Sequence, residues 1–182
     1  NMNESSRLLQ ELSMETDRRY DIFYEKDVKD IVEYNKKYKN SKMGYEVLII
    51  DEFADLQSSK ECMSLLDELG RKARACGIHL ILSTQRPDSK VLNGSIKANI
   101  TSILGLKTLN GTNSQIIIGE VGLEKLRGKG HGIFKRGKKT EIQSPFLETE
   151  TAKELIKHTY IDKKIEKIEK IENFDFMEGL FW

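Results

Sequence analysis

Val47-Leu48-Ile49-Ile50-Asp51-Glu52-Phe53-Ala54-Asp55-Leu56 is the stretch on which the reading of this chain turns. Four apolar residues follow one another without a polar break, which predicts a strand buried on both faces of a parallel sheet. Asp51 and Glu52 stand where that strand should run out. Open α/β sheets gather ligands and reacting groups along this carboxyl edge. The plainer alternative is a buried strand entering an acidic loop.

Downstream, Ser58 or Ser59 can cap a helix whose buried stripe is Cys62, Leu65, Leu66, Leu69, Ala73 and Cys76. Arg71, Lys72 and Arg74 crowd its last turns, where cations suit the helix dipole, and Gly77 has the place of a C′ residue. Ile78 to Ser83 predicts a second buried strand, with His79 read as a core histidine because nothing of metal-ligand spacing accompanies it. Thr84-Gln85-Arg86-Pro87 leaves that strand at the edge that carries Asp51, and Pro87 stops the ladder. Leu92, Ile96 and Ala98 suggest a short helix, Thr101 to Lys107 a third strand, and Asn110-Gly111 a turn. Ser114 to Ile118 and Gly122 to Leu126 read as short helical pieces. Ile133 to Lys135 and Thr140 to Gln143 read as a hairpin turning over Arg136-Gly137-Lys138-Lys139.

Upstream, Ser6 to Tyr24 predicts a helix with Leu8, Leu9, Leu12, Tyr20 and Phe23 on its apolar side. Asp27 is the expected N-cap of a second helix carrying Val28, Ile31, Tyr34 and Tyr38. At the other end, Thr151 and Glu154 form a capping box opening a last helix with Leu155, Ile161, Ile165 and Ile168 on one side and a Glu166–Lys170 pair. An apolar, aromatic end, Phe174 to Trp182, is expected to dock on this chain or a neighbour.

The 182 residues suffice for one domain with a sizeable core, and 32% charged content describes a soluble, polar chain. Cys62 and Cys76 make no disulfide framework, so reduced thiols in a cytoplasmic protein are the simple expectation. No stretch approaches the roughly 18 apolar residues of a membrane span. Contact with a membrane would run through residues outside this chain.

An apolar strand ending in Asp-Glu is the Walker B pattern of nucleoside triphosphatases, in which the first acid holds Mg²⁺ through water and the second polarises the attacking water. With Arg71-Lys72-Ala73-Arg74-Ala75-Cys76-Gly77-Ile78-His79-Leu80, Ser83-Thr84-Gln85-Arg86-Pro87, Ile96-Lys97-Ala98-Asn99-Ile100 and Gly128-Lys129-Gly130-His131-Gly132, the pattern resembles the FtsK/SpoIIIE DNA translocase motor over about residues 5–147. Arg18-Arg19-Tyr20 and Glu33-Tyr34-Asn35 fit its usual wording. Ile117 to Glu120 and Lys125 to Gly132 look most like the mobile-element branch, which includes conjugative coupling proteins.

The resemblance implies a RecA-like three-layer α/β sandwich, with a mostly parallel sheet and helices on both faces, present here as a partial domain over 1–147. A C-terminal helix and apolar tail would fill 148–182. It further implies ATP and Mg²⁺ as cofactors, double-stranded DNA as cargo, and assembly into a ring, a hexamer in the family, at the cytoplasmic face of a membrane where the parent carries an anchor. Asp51 would hold Mg²⁺ in its outer shell, Glu52 would orient and deprotonate water, and Gln85 would act as the polar sensor beside the γ-phosphate. An amide can accept from water and donate to a phosphate oxygen at once; the plainer role of Gln85 is a strand-end hydrogen bond.

The sequence departs from the family in two respects. No Gly-x-x-x-x-Gly-Lys-Ser/Thr occurs, the nearest match being Gly122 to Gly130, so these residues are expected to be the carboxyl-terminal part of a motor and to hydrolyse ATP weakly or not at all alone. Ile103 and Gln115 stand where the family pattern has arginines, leaving Arg74, Arg127 or Arg136 as possible substitutes acting on a neighbour's phosphate.

The basic run Lys125, Arg127, Lys129, Lys135, Arg136, Lys138, Lys139 is the second candidate site. Lys129, Arg136, Lys138 and Lys139 are its foremost candidates for contact with duplex DNA phosphates or a neighbouring subunit. A solvated hairpin is the plain alternative. Two other functions compete with DNA pumping: the ATPase part of an EssC-like protein secretion system, and an inert ATPase-like assembly module.

Overall fold

The structure is a computed structural model that describes residues 2–87, 89, 92 and 94–159. The chain divides into two bodies, Asn1–Ser144 and Pro145–Trp182.

In the first body, helix α1 (Met2–Glu25) is followed by α2 (Ile31–Lys37) and strand β1 (Glu46–Ile50). The cap of α2 is Asp30, whose side chain accepts from the Glu33 backbone N–H. Asp27, expected in that role, instead takes φ 50 in the turn before it, a conformation that aspartate tolerates better than most residues. After β1 the chain winds a 3-10 stretch, Phe53–Ser58, then α3 (Lys60–Lys72), capped by Ser59 as expected. Past Lys72 one more turn closes on Gly77, with Ile78 N–H bonded to the Ala73 carbonyl and Gly77 N–H to that of Arg74. That pairing is a Schellman motif, and Gly77 at φ 81 is its C′ residue. A Cβ there would sit 2.3 Å from Ile31 Cδ1, so glycine is required twice over.

Strand β2 (Ile78–Leu82) runs parallel to β1, with Glu46 opposite Ile78 and Ile50 opposite Leu82. Leu48, Ile50, Ile78, Leu80 and Leu82 face Leu9 of α1 and Cys62, Leu66 and Leu69 of α3 in one apolar cluster. The alternate residues face outward: Val47, Ile49 and Ile81 are 56%, 51% and 51% exposed. Burial on both faces of the strand is therefore corrected for the described residues: α1 and α3 cover one face, and no described element covers the other. His79 shares that open face and stacks on Tyr45 at 5.8 Å between ring centroids, so it is no core histidine.

Arg19, 4% exposed, is the tie that sequence reading missed. Its guanidinium donates to Glu15, to Glu46 and to the carbonyls of Gly44 and Cys76, fastening α1 to the start of β1 and to the turn before β2. Both cysteines are buried and free, and burial pushes the Cys76 thiol up.

The rest of the body is α4 (Gly94–Asn99), β3 (Ile103–Leu106), α5 (Gly111–Ile118), a 3-10 turn Leu123–Lys125, β4 (His131–Arg136) and β5 (Lys138–Gln143). Asn110 caps α5 and Gly111 is its first residue, where a turn was expected. The third strand pairs antiparallel with β4, not with β1 or β2, giving a sheet ordered β3-β4-β5. The hairpin turns over Gly137 alone at φ 71, so Arg136 and Lys138 are opposed strand residues and not part of a four-residue turn.

In the second body, α6 runs Thr149–Thr159. It starts ahead of Thr151, so that residue lies inside the helix and not at its cap. Ile161, Ile165, Ile168, the Glu166–Lys170 pair and the Phe174–Trp182 end lie outside the described residues. No helix of the described residues is long and apolar enough to cross a membrane.

Candidate active site

The ends of β1 and β2 are stitched together by backbone. Ser83 N–H donates to the Ile50 carbonyl at 2.8 Å, and Phe53 N–H donates to the Ser83 carbonyl at 3.0 Å. Phe53 is 1% exposed and packs with Ala54 and Ile96 under the strand ends. The chain thus dives into the core immediately after Glu52, which leaves Asp51 and Glu52 on the rim.

The two acids then part. Asp51 is exposed and, with Ser83, Thr84 and Gln85, lines a groove of about 860 Å³ that also takes in Lys97 and residues of β3. Glu52 turns toward the segment after β2. Its Oε1 accepts from the Thr84 hydroxyl and from Ala54 N–H at 3.2 Å, and its Oε2 accepts from Gln85 N–H at 2.8 Å. Burial raises the carboxyl pKa, but these donors together with the Arg86 charge outweigh burial and hold it below the ordinary value. Arg86 in turn lies 3.7 Å from Asp55, both exposed.

The sequence-predicted trio is therefore brought together with different bonds from those expected. Gln85 meets Glu52 through its backbone N–H, while its residue lines the groove beside Asp51. Thr84 went unnoticed; its only signal in the sequence was its place in Ser83-Thr84-Gln85-Arg86-Pro87.

A cation would find oxygen donors of the hard type at Asp51, and Mg²⁺ characteristically takes one or two carboxylates and completes its shell with phosphate and water. Among the described residues no group of three or more His, Cys, Asp or Glu is arranged to hold a metal ion.

The basic run divides in two. Lys135 donates to the Ile118 carbonyl at 2.6 Å, at the end of α5, and Lys139 pairs with Glu120 at 2.7 Å. Arg127, Lys129, Arg136 and Lys138 have no side-chain partner among the described residues, whereas Lys125 acts on the Glu124 carboxylate. The backbone beneath Lys129 is fixed: Arg127 N–H donates to His131 Nδ1, Gln143 Nε2 to the Lys129 carbonyl, and Ser144 N–H to the Gly130 carbonyl. Nδ1 accepts, so His131 offers its proton from Nε2 to Glu141. At the two positions where arginine was looked for, Ile103 packs beside Ile118 and Leu123, and Gln115 donates to the Gly119 carbonyl.

A parallel pair opening onto an acid rim, with helices α1 and α3 packed on it, is the architecture of RecA-like P-loop ATPase motor domains, and the solved structures agree. The conjugation coupling protein TcpA of pCW3, in its monomer form with ATPgS, superposes with a TM-score of 0.79 at 25% identity, covering 87% of this chain and 49% of that one. ATPases 2 and 3 of EssC from Geobacillus thermodenitrificans give 0.72 at 16% identity, covering 87% and 32%.

The family is more specific than the fold. The FtsK/SpoIIIE family model matches residues 42–89. A DNA translocase FtsK of Streptococcus pneumoniae is 40% identical over 146 residues, 74% of this chain and 19% of its own length. Another, from Lactococcus lactis subsp. cremoris, is 35% identical over 189 aligned positions, 96% of this chain and 25% of its own length. The chain thus spans 19% to 25% of these relatives.

Proposed function

We propose that these residues are the Walker B half of an ATP-driven motor that moves double-stranded DNA, in chromosome segregation or conjugative transfer. The observation that carries the reading is the acid rim: Asp51 faces the groove, and Glu52 is bonded to the segment that ends the neighbouring strand. The likeness to DNA translocases at 35–40% identity supports DNA as cargo over protein, since the likeness to EssC supports the fold alone.

In this reading Asp51 would hold Mg²⁺ through water, and the ion would supply charge neutralisation on the phosphates of ATP. Glu52 accepts a proton from the attacking water, and Gln85 fixes that water or a phosphate oxygen from the adjacent strand end. The unpartnered cations Lys129, Arg136 and Lys138 contact DNA phosphate or the next subunit of a ring, with Lys139 free to do so only at the expense of its pair with Glu120. The protein would act on the cytoplasmic side of a membrane, reached through other regions.

The test is ATP turnover by the intact gene product with and without duplex DNA. Stimulation by DNA and its loss in Glu52→Gln, with ATP still bound, are the expected results. Turnover that ignores DNA but responds to a secreted peptide would transfer the motor to protein export.

A further inference from the structure

We propose that Thr84 is a positioning residue that holds Glu52 off the groove, so that the carboxylate meets water beside Asp51 only when the segment Thr84–Arg86 shifts. The inference rests on the reading of Glu52 as the base. Its ground is the way the hydroxyl is fixed at both ends: it donates to Glu52 Oε1 and accepts Arg86 N–H at 3.0 Å. Glu52 is further tied by Ala54 N–H at 3.2 Å and by Gln85 N–H at 2.8 Å, so donors from the ends of both strands share the carboxylate.

The groove supplies the second observation. Asp51, Thr84 and Gln85 line it, and Glu52 is not among its lining residues. A general base must come within about 2.6–3.2 Å of the atom whose proton it takes. Thr84 lines the groove and Glu52 does not, so in this proposal the carboxylate leaves the hydroxyl to reach a water lying by Asp51. Arg86 provides the handle. Its side chain is exposed and lies 3.7 Å from Asp55, and its backbone N–H is what orients the Thr84 hydroxyl. A ligand that draws Arg86 outward loosens the tether.

Thr84→Val removes the hydroxyl and keeps the shape; Thr84→Ser keeps the hydroxyl. In the 182-residue chain, the amide spectrum should show the fold retained in both Thr84→Val and Thr84→Ser. In the intact gene product, ATP turnover without DNA should rise about fivefold in Thr84→Val, the bias that one ordinary hydrogen bond places on a two-state equilibrium, and Thr84→Ser should bring it back. Unchanged or lowered DNA-free turnover in Thr84→Val overturns the tether, and so does a rise that Thr84→Ser shares in full. Failure of the base reading shows itself separately, as turnover that survives Glu52→Gln.

Discussion

The acid rim after β1 and the basic hairpin β4–β5 carry opposite charge, and they are built on opposite rules. At the rim the polar groups are held by the fold itself: strand ends are bonded backbone to backbone, Phe53 anchors the exit, and three donors grip one carboxylate. Of the hairpin's lysines and arginine, Lys135 and Lys139 are so engaged, while Arg136 and Lys138 project without partners among the described residues. Fixed groups suit a reaction that needs placement within fractions of an ångström, whereas unpartnered cations suit a polyanion that any register can satisfy.

The largest effect should break the rim. Glu52→Gln keeps the shape and removes the base that we propose, and a lost general base typically lowers turnover about 10²–10⁴-fold. Steady-state ATPase rates of the intact gene product measure it, and a loss below tenfold would give the base role to another group.

Next comes the scaffold under the rim. Arg19→Leu strands the Gly44 and Cys76 carbonyls beneath the start of β1 and should cost about 2–4 kcal/mol, at the scale of uncompensated buried polar groups. Urea denaturation should show a lower midpoint with an unchanged slope. A hairpin change such as Lys138→Ala should leave that midpoint within about 0.5 kcal/mol, since exposed substitutions away from such ties do little.

The hairpin is sharpened by salt. If Lys138 meets DNA phosphate, Lys138→Ala should reduce the slope of log affinity against log salt by about 1, whatever the DNA sequence. Lys135→Met should lower stability and leave the slope alone, because that ammonium already serves the end of α5. Equal slopes for both variants would dissolve the division of the run into engaged and free cations.

The smallest effect is acid sensitivity. Glu52 has its folded pKa depressed below 4.5, and so have Glu15, through Arg18 first, and Glu120, through Lys139. A carboxylate with a depressed folded pKa contributes stability that is present above its unfolded pKa and lost as pH falls through the folded one. Thermal melts should therefore hold steady from neutrality down to about pH 5 and then fall, more steeply in wild type than in Glu15→Gln.

Much of this was legible in the residues. Ser59, Gly77 and the apolar stripe of α3 report short-range physics, capping and periodicity, and each took its expected role. Legibility failed where two structures satisfy the same local pattern. Asp27 and Asp30 are both plausible caps, and only the turn geometry chose between them. Ile103 to Leu106 reads as a strand in any sheet, and its partner was set by the hairpin behind it. Arg19 reads as one more surface arginine on an amphipathic helix until β1 and the Gly77 turn close over it.

What the chain carries in its own order of residues is the run of Val and Ile ending in two acids, the amide one strand later, and the basic, glycine-punctuated hairpin. Their chemistry and spacing follow from local pattern alone. Tertiary structure decided what each group touches: that Glu52 turns to Thr84 and not to the groove, that Lys135 and Lys139 are engaged, and that one face of β1 and β2 is packed while no described element covers the other. Hydrogen bonds and burial between residues distant in sequence are properties of how elements meet, and periodicity cannot encode them.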